Sequence, residues 1–211
     1  MDDMVRIKEV QYSSTGAVTL KMSDKSRLCL DYDSWMDLNL PKETALSSVQ
    51  LDALNSCALY HQVREKALSL LAKREYAGKE LKLRLMKLCK DSQMLDRCLN
   101  ELQEKDLQSD SRYAHARVRF WLSSKAKGQY WMLGELQSKG ITRDLANSIL
   151  QEYEGDESWL ECARKRLSRI QRTSKVKKTM VFRQKLYQQG FSANLIDQVL
   201  SEADSLTEFQ Q

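Results

Sequence analysis

The side chains able to do chemistry in this 211-residue sequence are few and poorly spaced for catalysis. Only two histidines occur, His61 and His115, both inside helical patterns beside apolar residues, so a serine or cysteine nucleophile has little choice of base. The five cysteines (Cys29, Cys57, Cys89, Cys98, Cys162) form no C-x-x-C and are odd in number. They read as buried thiols rather than a disulfide framework or zinc site. Gly128 to Gly134 is not followed by Lys-Ser/Thr and lies in an apolar helical pattern, so no phosphate-cradling loop is expected there. Carboxylates are many but stand four residues from a base, as in Glu75 with Lys79 and Glu80 with Arg84, which is the spacing of solvated helix pairs. No catalytic residue, metal ligand or cofactor is expected, and the chain reads as a non-enzyme.

Binding chemistry is better represented. Arg164 to Lys185 carries ten basic residues (Arg164, Lys165, Arg166, Arg169, Arg172, Lys175, Lys177, Lys178, Arg183 and Lys185), and no acid occurs between Glu161 and Asp197. Arg112, Arg117, Arg119, Lys125 and Lys127 precede them. Up to Ala58 the chain has six Lys/Arg against nine Asp/Glu; from Leu59 onward it has 28 against 20. A polyanionic partner would therefore meet the later part. These fifteen residues are the candidate partner-binding surface. Unopposed positive charge repels itself, which counts against a purely structural adaptor.

The elements that must position these residues are mainly helical. Pro41 is the only proline, and the 170 residues after it contain nothing that forces helices to stop. At the N-terminus, Val5–Tyr12 and Ala17–Met22 alternate apolar and polar around a Ser/Gly turn, with one slip, and Arg27–Tyr32 adds a third strand. Three short strands must lean on helices for a core. No apolar run of about 18 residues exists to span a membrane, and the start lacks a signal peptide's pattern, so a cytoplasmic protein is expected.

From Leu85 the sequence repeats at steps of 51 and 50 residues: Leu85…Cys89, Leu136…Gly140, Leu186…Gly190. Gly140-Ile-Thr142 and Gly190-Phe-Ser192 each read as a left-handed glycine closing one helix, an apolar staple and a hydroxyl cap for the next. Cys89 replaces the first glycine, so that corner must be built differently. The organisation expected is a β-meander over 1–45, a linking helix over 46–62, and three-helix repeats over 63–108, 109–155 and 156–211. Such repeats share cores and stack into an elongated, curved body. Trp121 shares a stripe with Ala114, Val118 and Leu122 and is read as core, whereas Tyr113 and Phe120 lie off it and face a neighbouring unit or a partner.

Leu71-Ala-Lys-Arg-Glu-Tyr-Ala-Gly-Lys-Glu-Leu-Lys-Leu-Arg-Leu85, Asp110-Ser-Arg-Tyr-Ala-His-Ala116, Gly128 with Leu133-Gly-Glu-Leu-Gln-Ser-Lys-Gly-Ile141, and Tyr187-Gln-Gln-Gly-Phe-Ser192 with Ile196-Asp-Gln-Val-Leu200 stand in a fixed order. The ordered set resembles the bacterial RecX regulatory proteins from Leu59 to Leu200. The resemblance implies a monomeric modulator of the RecA recombinase, bound along the groove of the RecA filament on single-stranded DNA. It would restrain filament growth, strand exchange, ATP hydrolysis and co-protease activity in DNA repair, recombination and the SOS response. The alternative is a helical repeat protein that binds nucleic acid directly, without RecA.

Overall fold

A computed structural model describes residues 5–14, 16–40, 45–153, 157–174 and 178–208. Strands β1 (Ile7–Tyr12), β2 (Ala17–Met22) and β3 (Arg27–Asp31) form one antiparallel sheet in the order β1-β2-β3. The slip in the first strand's alternation is a register shift between Ile7 and Glu9. It restores Ile7 to the same buried face as Val18, Leu20 and Leu30.

Helix α1 (Tyr32–Leu38) follows without a loop and takes Tyr32, which the sequence reading gives to the third strand. Asp31 ends β3 and also caps α1, its carboxylate accepting from the Ser34 N–H at 2.9 Å, and this turn delivers Trp35 to the core. The sheet packs against α2 (Ser48–Leu71), with Leu54 joining Ile7, Val18, Leu20, Leu30 and Trp35. A Ser47/Gln50 capping box starts α2, which runs unbroken through residues 62 and 63, where a linking helix and a repeat helix are read separately from sequence. No glycine or proline lies within those 24 residues to divide them.

Helices α3 (Gly78–Leu85), α4 (Ser92–Glu104), α5 (Asp110–Phe120), α6 (Gln129–Ser138), α7 (Arg143–Gln151), α8 (Glu157–Thr173), α9 (Thr179–Gln188) and α10 (Ala193–Glu208) complete the chain. A π-helical turn, Trp121–Lys125, extends α5. Two compact units result: Met1–Arg74 with Leu81–Gln108, and Glu75–Glu80 with Ser109–Gln211. Within the second unit one core gathers Tyr113, Val118, Trp121, Met132, Leu136, Ile141 and Ile149. Another gathers Cys162, Leu167, Ile170, Phe182, Leu186, Phe191 and Val199.

Both corner glycines, Gly140 and Gly190, adopt the left-handed conformation that the sequence indicates. Gly140 (φ +91°) ends α6, the Ile141 N–H reaches back to the Leu136 carbonyl, and Thr142 accepts from the Leu145 N–H to cap α7. Gly190 (φ +84°) ends α9, with the Phe191 N–H returning to the Leu186 carbonyl. Cys89 makes its corner without a left-handed residue; its N–H bonds the Leu85 carbonyl, its side chain is buried, and Asp91 caps α4. No helix among the described residues is long and apolar enough to cross a membrane.

Candidate functional site

Helix α8 turns Trp159, Cys162, Ala163, Leu167 and Ile170 inward, which at helical spacing leaves Arg164, Lys165, Arg169 and Arg172 outward. The acid-free run of the sequence does not stay acid-free in space. Arg164 bonds Glu202 of α10 at 2.8 Å and approaches Glu157 at 3.8 Å. Lys165 pairs with Glu161 one turn earlier at 2.7 Å, and Arg183 of α9 pairs with Asp197 of α10. Arg112 pairs with Glu75 at 2.8 Å, so Glu75 reaches across to α5 instead of serving only its sequence neighbour Lys79. Exposed pairs of this kind are worth about 0–1 kcal/mol each.

A second set of cations forms no ion pair among the described residues, Glu135 acting on Lys127 only from a distance, and it converges on one place. Lys125 ends the π-helical turn, Ala126 follows at φ +49°, and Lys127 comes next. Arg169 lies beside this turn, its guanidinium 3.5 Å from the Ser124 carbonyl, and Arg166 is one turn back along α8. Burial, then the like charges of Arg166 and Lys125, hold the Lys127 ammonium below its ordinary pKa. Burial, then Arg169, does the same to Arg166. Repulsion thus links the cations in series, Lys125 with Lys127, Lys127 with Arg166 and Arg166 with Arg169. Lys127 is also fixed by a 2.5 Å bond to the Gln189 side-chain oxygen and by the Trp131 ring, 4.9 Å away.

Arg117 of α5 lies over the rings of Phe120 and Trp121, at 5.3 and 5.0 Å. The Nε groups of Arg117 and Arg166 are buried and meet no acceptor among the described residues. A buried donor without an acceptor is costly, and an incoming anion would relieve that cost. Trp121 is core, packed edge-on against Trp131 at 5.3 Å. Tyr113 is buried too, whereas Phe120 is 46% exposed beneath Arg117.

The remaining candidates are scattered. Arg172 folds back on Ser168, and Lys185 bonds Ser174 at 3.1 Å. Lys178 is exposed, and Arg119 lines a cavity with His115, Glu152 and Tyr153. Lys175 and Lys177 lie outside the described residues. His61 is buried with Nε2 3.5 Å from the Cys29 sulfur, a pairing the sequence hides because the residues are 32 apart. Its Nδ1 has no partner among the described residues to orient it as a base. Among the described residues no three His, Cys, Asp or Glu gather as metal ligands would.

The feature sequence reasoning missed is what holds this patch in place. Gly128, before α6, lies backbone to backbone against Gly190 at the end of α9; a β-carbon on Gly128 would sit 2.2 Å from the Gly190 carbonyl. The Gly128 N–H donates to the Gln189 carbonyl at 2.9 Å and the Tyr130 N–H to the Gly190 carbonyl at 3.0 Å. α9 thereby supplies the acceptors that the first turn of α6 needs, and the joint anchors Lys127 next to α8.

No protein-family model matches the chain. A regulatory protein RecX of Listeria monocytogenes serotype 4a (strain HCC23) is 24% identical over 200 residues, covering 93% of this chain and 74% of its own length. A regulatory protein RecX of Clostridioides difficile (strain 630) is 24% identical over 204 residues, covering 95% of this chain and 96% of its own. The crystal structure of a regulatory protein RecX shares the fold, with a TM-score of 0.74 at 18% identity over 92% of this chain and 98% of that one. That of RecX from Lactobacillus salivarius gives 0.62 at 25% identity over 69% and 97%. Along nearly its whole length the chain is thus similar in sequence to regulatory proteins RecX, and it shares the fold of a RecX crystal structure.

Proposed function

We propose that this protein binds the RecA filament on single-stranded DNA along its groove and restrains strand exchange, ATP hydrolysis and co-protease activity, acting as a cytoplasmic monomer in DNA repair, recombination and the SOS response. It does so by occupancy, without catalysis. The observation that carries this reading is the convergence of Lys125, Lys127, Arg166 and Arg169, none of which forms an ion pair among the described residues. Such a patch attracts a phosphate-bearing polymer and lets go as salt rises.

The division into repeats at 63–108, 109–155 and 156–211, behind the segment 1–45 and the helical stretch 46–62, belongs to the same proposal. Units of similar build address the equivalent protomers of a helical polymer, and modest contacts add through effective concentration. The fifteen candidate basic residues named from the sequence form the contacting surface, and Lys125, Lys127, Arg166 and Arg169 contribute most to it. Direct nucleic-acid binding without RecA is the second reading, favoured by the same unpaired cations.

The test reverses Lys125, Arg166 and Arg169 to glutamate and, separately, Lys165, which already has Glu161. The triple variant should lose at least tenfold in inhibition of RecA-driven strand exchange, and Lys165→Glu much less. Undiminished inhibition by the triple variant refutes the proposal. Titrating the wild-type protein against RecA on single-stranded DNA, RecA alone and bare DNA, at two salt concentrations, ranks the two readings.

A further inference from the structure

Two helix starts in the second unit are covered by glycine corners. The first turn of α6 receives Gly190, with the Trp131 β-carbon 2.7 Å from where a Gly190 β-carbon would stand. The first turn of α3 receives Gly140, which a β-carbon would bring to 2.7 Å from the Lys79 β-carbon. Helix α9 is built like α6, but among the described residues no corner covers its start. It begins at Lys178 without a side-chain cap. Met180 is 82% exposed and Tyr187 68%. Between them runs a groove of about 650 Å³, floored by Val181, Ala193 and Ile196 of α9 and α10. Large apolar side chains exposed along one groove mark an interaction surface.

The rim identifies the occupant. Lys178 and Arg183 are its charged residues, no carboxylate among the described residues lines it, and Asp197 beside it is the ion-pair partner of Arg183. An apolar floor with a cationic rim fits an amphipathic helix that carries acids beside its apolar stripe. A second copy of this chain fits badly. The corner that ends α3 has a β-carbon at Cys89 where α6 and α9 have glycine, and it is flanked by Lys87 and Lys90, which would face Lys178 and Arg183 with like charge.

We propose that the α9–α10 groove docks an acidic amphipathic helix of a partner protein, seating apolar residues between Met180 and Tyr187 and carboxylates on Lys178 and Arg183. This rests on the filament reading and divides it: the groove takes the protein of the filament, and the Lys125–Arg169 patch takes its phosphates.

The experiment compares the wild-type protein with Met180→Glu/Tyr187→Glu, both sites being exposed, and with Met180→Leu/Tyr187→Phe. Circular dichroism and melting confirm folding. Fluorescence anisotropy then gives affinity for RecA filaments on single-stranded DNA and for bare single-stranded DNA, and sedimentation gives the oligomeric state. The glutamate variant should bind the filament at least tenfold more weakly and bare DNA within twofold of wild type, and the conservative variant should match wild type on both. Unchanged filament affinity overturns the groove. An equal fall on bare DNA makes it a nucleic-acid site instead. A wild-type dimer that the glutamates dissolve gives it to a second copy. Wild-type protein that ignores the filament refutes the filament reading itself, and the groove's partner with it, a result distinct from failure of the variant alone.

Discussion

Replacing Gly128 by alanine should weaken the second unit far more than its surroundings on the chain suggest. At φ −82° the residue carries no left-handed strain, so the whole effect is contact. The new β-carbon would meet the carbonyl carbon and oxygen of Gly190 and the nitrogen of Phe191, each at 2.2 Å. All three are backbone atoms, which cannot rotate away. Relief requires the corner to withdraw by about 1 Å, and that lengthens the 2.9 and 3.0 Å bonds from Gly128 and Tyr130 beyond useful range. Overpacking costs about 1–3 kcal/mol and each lost bond about 1 kcal/mol, so about 3–5 kcal/mol is expected. Gly190→Ala adds about 1–2 kcal/mol for its left-handed backbone. Gly134→Ala, on α6 with nothing within 4 Å, should instead stabilise by about 0.5–1 kcal/mol. Trp121, Trp131 and Trp159 lie in the second unit and Trp35 in the first, so urea unfolding followed by tryptophan fluorescence reports chiefly on the unit at issue. A Gly128→Ala midpoint equal to wild type would refute the reasoning.

Other perturbations test other parts. Burial pushes the Glu101 carboxyl up, but hydrogen bonds from Lys105 and Tyr60 and the charges of Lys105 and Arg64 outweigh it and bring it down to about 2 from an ordinary 4.5. A carboxylate lowered by folding contributes stability that is present above 4.5 and lost as pH falls toward 2. Glu101→Gln should therefore flatten the acid limb of unit-one stability in denaturant titrations over that window, and an unchanged limb would count against the network. Burial raises the Cys98 and Cys162 thiols to about 11, so alkylation at neutral pH should reach half-buried Cys29 and Cys57 first and Cys89, Cys98 and Cys162 only on unfolding. Mass spectrometry of labelled peptides reads the order; early modification of Cys162 would contradict its burial. Leu136→Asp buries a charge in a core that excludes water completely at that position, and the second unit should lose its cooperative transition. Retained cooperativity would place Leu136 elsewhere than the core.

Patterns that act over short chain distances were readable without coordinates. The alternation in β1 and β2 marks the sheet face, and even its slip has a structural counterpart in the register shift near Glu9. Gly140-Ile-Thr and Gly190-Phe announce their corners because a left-handed residue and its staple are neighbours in sequence. Helix α1 escaped because Asp31 serves strand and helix at once, and seven residues are too few to show a period. The basic surface was legible in composition and not in pairing: Glu157, Glu161, Asp197 and Glu202 flank the acid-free run in sequence, yet one helical turn or a neighbouring helix brings them onto Arg164, Lys165 and Arg183. Tyr113 looked peripheral on its helical wheel and is buried, because helix periodicity says nothing about what packs on the other side. Gly128 carried no sequence signal for its role, since its partner is 62 residues away.

The end-to-end meeting of α9 with α6 separates cohesion from adhesion. Peptide carbonyls answer peptide amides at that junction, with no ionised side chain taking part in the two backbone bonds, so dissolved electrolyte has little there to shield. The cations it steadies, Lys127 foremost, respond strongly to the same electrolyte. If the proposed binding to an anionic polymer holds, a rise in ionic strength would free the molecule from it while its own architecture stays intact, ready to rebind.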